Sequence, residues 1–395
     1  MAESPRLVFG VIGDIQTKNV PCMAGVTSVG DVLRRQGATT VLVGDVKEWR
    51  LVDLPASGDF DLGAACCQAF AVKTPPLDCV QRNGLRFILC NTRGLMAEDW
   101  TAFATRHSDE LRPDSLFFYA QHRHPQRTVF GDFINNQDGG VSTETLATFP
   151  KAVAFSCGGY GPLTDERAIW HGGFTSVATS SFRRAALPGG RENTVAEGVQ
   201  KTYRDDRQMP NLNDSPIRNR HGLVVSVFTD RIVFARVALK SGERLGADWT
   251  LPFDDPGALS FARRMEVLPV PAFGKGAKAS VSFGRGKTLK GVETDQVRVS
   301  FPKAGPVRAY EYEVTVKCLR GGVEGIVSQK RVFSRGIVLP PEAEPKEVTC
   351  VFACDELYQD VPLLFEVRPM DSFGRKGGPI SVSRTVPAAK RGGRG

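Results

Sequence analysis

The chain has 395 residues, 41% hydrophobic and 24% charged, which is ordinary for a globular protein but too long for one core, so two domains are expected. No run of about eighteen apolar residues occurs, which argues against a membrane-spanning helix. The net charge of +8 comes partly from the tail Lys390-Arg391-Gly-Gly-Arg394-Gly395. No aromatic residue interleaves with those charges, so the tail reads as a solvated end and nucleic acid is not the expected partner.

Nine cysteines are scattered without a paired framework. Cys66-Cys67 and Cys350/Cys354 lack the partners of a zinc ribbon, so reduced thiols in a cytoplasmic protein are expected. Met1 to Arg6 is polar and leads straight into an apolar run, which is not the pattern of a signal-peptide core.

Leu7 to Ile12 reads as a buried parallel strand that delivers Asp14 at its tip. Val26 to Gln36 has a helical pattern, and Thr40 to Val43 is a second buried strand ending in Gly44-Asp45. Lys47 to Val80 reads as loops with a helix through Ala64 to Val72. Arg86 to Cys90 is a third strand, ending at Asn91. Ala97 to Leu111 is helical, with Glu98 and Asp99 suiting the helix dipole at its start. Ser115 to Ala120 is a fourth strand, followed by Gln121-His122-Arg123-His124-Pro125. Thr143 to Phe149 is a short helix, and Val153 to Ser156 is the fifth strand. The alternation of strand and helix indicates an α/β sheet, whose ligands belong at strand tips.

Ser180 to Asn219 is polar and reads as a surface excursion. Two strands are expected within Gly222 to Val237, around Thr229-Asp230-Arg231. Trp249-Thr-Leu-Pro252 closes the first domain. From Glu266 onward, apolar and polar residues alternate between Gly and Pro punctuation with no helix, as in a small antiparallel β-sandwich.

The stretch Phe155-Ser-Cys-Gly-Gly-Tyr-Gly-Pro-Leu163, then Asp165, Arg167, Trp170 and Gly173-Phe-Thr-Ser176, resembles the last metal motif of the calcineurin-like metallophosphoesterases. The resemblance covers residues 7 to 253. It implies a four-layer α/β/β/α sandwich, and Asp371-Ser-Phe-Gly374 resembles the end of a fibronectin type III module. Expected domains are therefore 1–255 (phosphoesterase-like), 266–387 (fibronectin-like β-sandwich) and 388–395 (basic tail).

That family holds two metals through five motifs, and the resemblance places them here residue by residue. Asp14-Ile-Gln16 stands for Asp-x-His, and Gly44-Asp45-Val-Lys-Glu48 for Gly-Asp-x-x-Asp. Cys90-Asn91-Thr92-Arg93 stands for Gly-Asn-His-Asp/Glu, His122 for the lone histidine, and Cys157-Gly158-Gly159-Tyr160 for Gly-His-x-His. The implied metal ligands are Asp14, Asp45, Asn91 and His122. Gln16, Gly158 and Tyr160 stand at lost ligand positions, and His124 is a substitute ligand in reserve. Thr92 cannot replace the general-acid histidine. Arg93 is expected as a counter-charge pairing with Asp14 or Asp45 in place of a metal. Cys157 has no base identifiable in the sequence and reads as an inert thiol.

Two functions follow as expectations. One is a phosphoester hydrolase with a depleted Mn, Mg, Fe or Zn site, acting on a phosphorylated small molecule or phosphodiester. The other is a catalytically inactive relative, a pseudoenzyme that binds or assembles through a protein partner on its β-sandwich.

Overall fold

The computed structural model describes residues 3–18, 25–92, 95–130, 137–159, 161–182, 220–287, 293–320, 323–337 and 344–388. These fall into two compact units, the first ending at Val267 and the second beginning at Leu268. The first is mixed α/β. The second consists of antiparallel β-sheets.

In the first unit, strand β1 (Leu7–Ile12) pairs in parallel with β2 (Thr40–Gly44), and β2 pairs antiparallel with β3 (Trp49–Asp53). On its other side β1 pairs antiparallel with β10 (His221–Val227), which brings Leu7 opposite Val227. Strands β11 (Arg231–Ala238) and β12 (Trp249–Pro252) complete a six-stranded sheet in the order β12-β11-β10-β1-β2-β3. The second sheet contains β4 (Leu77–Arg82), β5 (Leu85–Cys90), β6 (Phe117–Gln121), β7 (Val153–Ser156), β8 (Ile169–His171) and β9 (Thr175–Ala178), ordered β4-β5-β6-β7-β9-β8. Its β5, β6, β7 and β9 run parallel, and antiparallel β4 and β8 form its margins.

The sequence pattern explains this placement. Central strands such as Val-Leu-Val and Phe-Ile-Leu carry apolar residues on both faces because both faces are covered. Phe9, Val11 and Phe234 of one sheet share a buried cluster with Phe87, Phe118 and Phe155 of the other. The Phe9 ring stands edge-on to Phe87 at 5.1 Å and to Phe118 at 5.0 Å. Such pairs add about 0.5–1.5 kcal/mol beyond area burial. The opposite face of the first sheet packs Val41, Val43 and Val52 against helices α1 (Val29–Arg35) and α2 (Leu62–Ala71). The opposite face of the second packs Ile88, Phe117 and Tyr119 against α3 (Ala97–Arg106) and α4 (Val141–Leu146). A last helix, α5 (Phe261–Val267), ends the unit.

The span from Lys47 to Val80 departs from expectation. It contains strands β3 and β4 besides α2. Both are sheet margins, and both mix charges with apolar residues (Arg50 and Asp53; Asp78 and Arg82). The continuous apolar run that marks a central strand is therefore missing. Helix α3 also stops at Arg106, short of Leu111. Of the expected excursion from Ser180 to Asn219, residues 183–219 lie outside the described residues.

In the second unit, β13 (Ser280–Lys287), β14 (Glu293–Pro302) and β17 (Glu347–Ala353) form one antiparallel sheet. Strands β15 (Glu311–Arg320), β16 (Val323–Phe333), β18 (Pro362–Met370) and β19 (Ile380–Thr385) form another, ordered β16-β15-β18-β19. Val297, Val299 and Phe352 of the first share a cluster with Val314, Val316 and Phe365 of the second. The alternate positions of β15 carry Glu311 and Glu313, both buried and paired with the buried Arg331 at 3.3 and 3.0 Å.

Candidate functional site

Each expected ligand position lies at a strand tip, as the sequence pattern requires. Asp14 follows β1, Asp45 follows β2, Asn91 follows β5, and His122 follows β6. The turn after β1 is tight. Asp14 and Gln16 both take left-handed backbone at φ 51°, as does Ser180 at φ 60°. Non-glycine residues held there cost on the order of 1–3 kcal/mol and cluster at functional sites. Gly13 is required by close approach. A Cβ there would come within 2.2 Å of Thr179 Oγ1 and 2.6 Å of the Cys157 Cβ. This contact brings the β1 tip of one sheet against the β7 tip of the other.

The polar atoms at these tips have specific partners. The Asp14 carboxylate accepts from Ser181 Oγ at 2.7 Å and from Gln16 Nε2 at 3.3 Å to both oxygens. Two carboxylate oxygens fix that amide with its NH₂ forward, so Gln16 faces Asp14 as a donor rather than as an oxygen ligand. Asp45 accepts from Thr17 Oγ1 at 2.6 Å and from the Val46 backbone N–H at 2.8 Å.

Asn91 is hydrogen-bonded at both ends of its amide. Its Oδ1 accepts from the Trp49 backbone N–H and from Arg50 Nη1, both at 3.0 Å, while its Nδ2 donates to the Pro75 carbonyl at 3.1 Å. Arg50 spends its whole fork here. Nη2 binds Glu48 at 2.6 Å and the Val72 carbonyl at 3.0 Å. Nη1 also reaches the Trp49 carbonyl at 2.8 Å, and Nε reaches the Ala69 carbonyl at 3.1 Å. Its side chain is 8% exposed. A buried guanidinium thus joins the last residue of the second motif, Glu48, to the amide of the third motif.

His122 and His124 differ. His122 Nδ1 stands 3.5 Å from Cys157 Sγ, and the Cys157 N–H donates to the His122 carbonyl at 3.2 Å. The imidazole that the sequence could not assign to Cys157 therefore lies beside it, and both groups are buried. His124 accepts at Nε2 from the Gly159 N–H (3.0 Å), which leaves its proton on Nδ1 to donate to Ser156 Oγ at 2.7 Å. Burial, with a smaller contribution from His122, pushes its pKa down to about 3. A histidine committed at both nitrogens is a structural residue rather than a ligand in reserve. Burial likewise raises the Cys90 thiol behind the Asn91 tip.

Gly158 is described but offers no side chain. Tyr160 and Arg93 lie outside the described residues. Among the described residues, no group of three or more His, Cys, Asp or Glu side chains is placed to hold a metal ion. The donor set as arranged does not fit a dinuclear centre, which needs several oxygen and imidazole ligands converging on each ion. Sequence reasoning missed Arg50, Thr17 and Ser181. Only Arg50 left a signal, as a lone charge inside Trp49-Arg-Leu-Val52 just after the Gly44-Asp45 tip.

Compared with known proteins, the chain matches no family model, no curated protein and no solved structure.

Proposed function

We propose that this chain is a calcineurin-like phosphoesterase scaffold that has exchanged its second metal for an arginine, and that it works as a binding or assembly protein rather than as a hydrolase. The observation that carries this reading is the double donation onto Asn91 Oδ1, from the Trp49 N–H and the Arg50 guanidinium. The oxygen that would face a cation in the family faces two donors instead. The Asp14 and Asp45 carboxylates accept from Ser181 and Gln16, and from Thr17 and the Val46 N–H, which supports the same reading.

The same reading takes the first unit as a four-layer α/β/β/α sandwich. Its support is the three apolar clusters, one shared by the two sheets and one between each sheet and its helices. It takes the second unit as a fibronectin-like β-sandwich, supported by the cluster shared between its three- and four-stranded sheets.

The test is metal content after purification, together with turnover of an aryl phosphate and a bis-aryl phosphodiester in added Mn²⁺. The expected result is substoichiometric metal, and turnover equal to that of Asp45→Ala. Stoichiometric metal with turnover abolished by Asp45→Ala would overturn the proposal in favour of a hydrolase.

A further inference from the structure

The two sheets of the second unit are bounded by β13 and β17, and by β16 and β19. On a bounding strand every second residue turns its N–H and C=O outward, where a further strand can add. Bonds at the strand ends show which residues these are. The Lys303 N–H donates to the Lys346 carbonyl at 3.0 Å, so odd-numbered residues of β14 turn to β17 and even-numbered ones to β13. By register, the odd-numbered residues of β13 and β17 then face outward. The Met370 carbonyl turns to the β15 side, accepting from the Tyr310 N–H at 2.7 Å, and the Val386 carbonyl turns to the β18 side, accepting from the Asp360 N–H at 2.8 Å. Ser381, Ser383 and Thr385 of β19 therefore face outward.

Three of these strands are blunted against addition. On β17 the outward Val351 carbonyl accepts from Lys330 Nζ at 3.0 Å and the Ala353 N–H donates to Glu356 at 3.3 Å, with Lys330 and Glu356 paired at 2.7 Å. On β13, Arg298 Nη2 donates to the outward Arg285 carbonyl at 2.9 Å, and Gln296 Nε2 to that of Lys287 at 3.3 Å. Strand β16 is broken by a register shift where it passes Val316 and Lys317, and such bulges discourage pairing. Strand β19 has none of these devices. Its register on β18 is unbroken. Among the described residues no side chain bonds to the backbone of Ser381, Ser383 or Thr385, and all three residues are exposed.

The segment is also self-complementary. Pro379 and Pro387, which cannot donate to a ladder, bound it symmetrically about Ser383. An antiparallel second copy, related by a two-fold axis through Ser383, sets Ser383 against Ser383, Ser381 against Thr385, Val382 against Arg384 and Ile380 against Val386. The outward-facing pairs exchange two backbone bonds each. Hydroxyls meet hydroxyls on one face, and Ile380 meets Val386 on the other, both favourable cross-strand pairs. The plainer reading is a short solvated edge with Arg384 as its deterrent. In this register Arg384 never meets its own image, and its apolar stem lies along Val382 of the other copy.

We propose that two copies of this chain pair β19 to β19 across Ser383, joining their four-stranded sheets into one. The contact is isologous and small, so the association is weak, in the micromolar range. A foreign strand would find the same backbone groups, but a second copy also brings the matching hydroxyl row between two prolines. The pairing belongs to the second unit and stands whether or not the first holds a metal, so its test and the metal test fail separately.

Sedimentation velocity of the full chain, from about 1 μM to about 500 μM, should show the monomer giving way to a dimer. Ser383→Pro removes an N–H that β18 does not use, so the thermal melt should stay in place while the dimer weakens by at least about tenfold, one donor being lost from each copy. Ser383→Lys and Ser383→Asp each set like charges against one another across the axis and should be monomeric, and mixed in equal amounts they should dimerise again. The charge variants decide the matter even if the proline shifts the melt. A monomer throughout the series would overturn the proposal. So would a dimer untouched by Ser383→Pro, or charge variants that stay apart when mixed, which places the axis elsewhere.

Discussion

Arg50→Met is the most searching perturbation of the first unit, because methionine keeps the apolar stem and removes every donor. Four acceptors besides Glu48 lose a partner: Asn91 Oδ1 and the carbonyls of Trp49, Ala69 and Val72. Glu48 is 39% exposed and rehydrates, so the ion pair itself contributes little. Asn91 Oδ1 keeps the Trp49 N–H. The three carbonyls remain, at about 1 kcal/mol for each lost bond, giving a total of about 3 kcal/mol. For a unit of this size that corresponds to a fall in Tm of roughly 6–12 °C. Arg50→Lys should recover less than half of it, since one ammonium cannot reproduce the fork. Thermal unfolding followed by far-ultraviolet circular dichroism decides the matter. A Tm within about 2 °C of wild type would refute the idea that this guanidinium ties the strand tips together.

Three further outcomes are expected. His124 is held neutral in the fold, so stability should be complete above pH 6.5 and should fall as pH drops from there toward 3. By linkage the loss at pH 4.5 is roughly 3 kcal/mol, visible as a lower urea midpoint and absent in His124→Gln. Gly13→Ala should cost about 1–3 kcal/mol through overpacking against Thr179 and Cys157, whereas alanine at the open Gly274 should leave the urea midpoint nearly unchanged. Arg331→Met should destabilise the second unit by about 3 kcal/mol, because it removes the guanidinium between the buried Glu311 and Glu313 while Glu313 keeps Lys376 at 2.6 Å. Adding Glu311→Gln to it, which leaves the Glu313–Lys376 pair in place, should recover part of the urea midpoint.

How much could be read from the sequence depended on how local the cause was. Strands buried on both faces declared themselves, and β1 and β7 have the expected limits because Leu7–Ile12 and Val153–Phe155 are apolar runs, the latter closed by the buried Ser156. The tip positions of Asp14, Asp45, Asn91 and His122 followed from those strands. The marginal strands β3 and β4 were hidden, since a strand covered on one side may carry Arg50 or Asp78 at no cost to its pattern. The partners of the tip residues were hidden for a different reason. Ser181 meets Asp14, and Arg50 meets Asn91, across long stretches of chain. No spacing rule links them. The counter-charge expected of Arg93 toward Asp14 or Asp45 lies outside the described residues. The guanidinium on the Asn91 amide comes from the edge strand β3 and was not foreseen.

The pairing of β1 with β10 governs how this protein can be made. On the ribosome the first strand emerges early, yet its hydrogen-bonding neighbour and the two strands beyond it arrive only when synthesis reaches Pro252. Until then one flank of β1 is an open template for any passing strand, the circumstance in which nascent chains aggregate. Fragments that stop at residue 182 should accordingly be insoluble, and holdase chaperones should engage this chain in proportion to the time it spends waiting for its own far end.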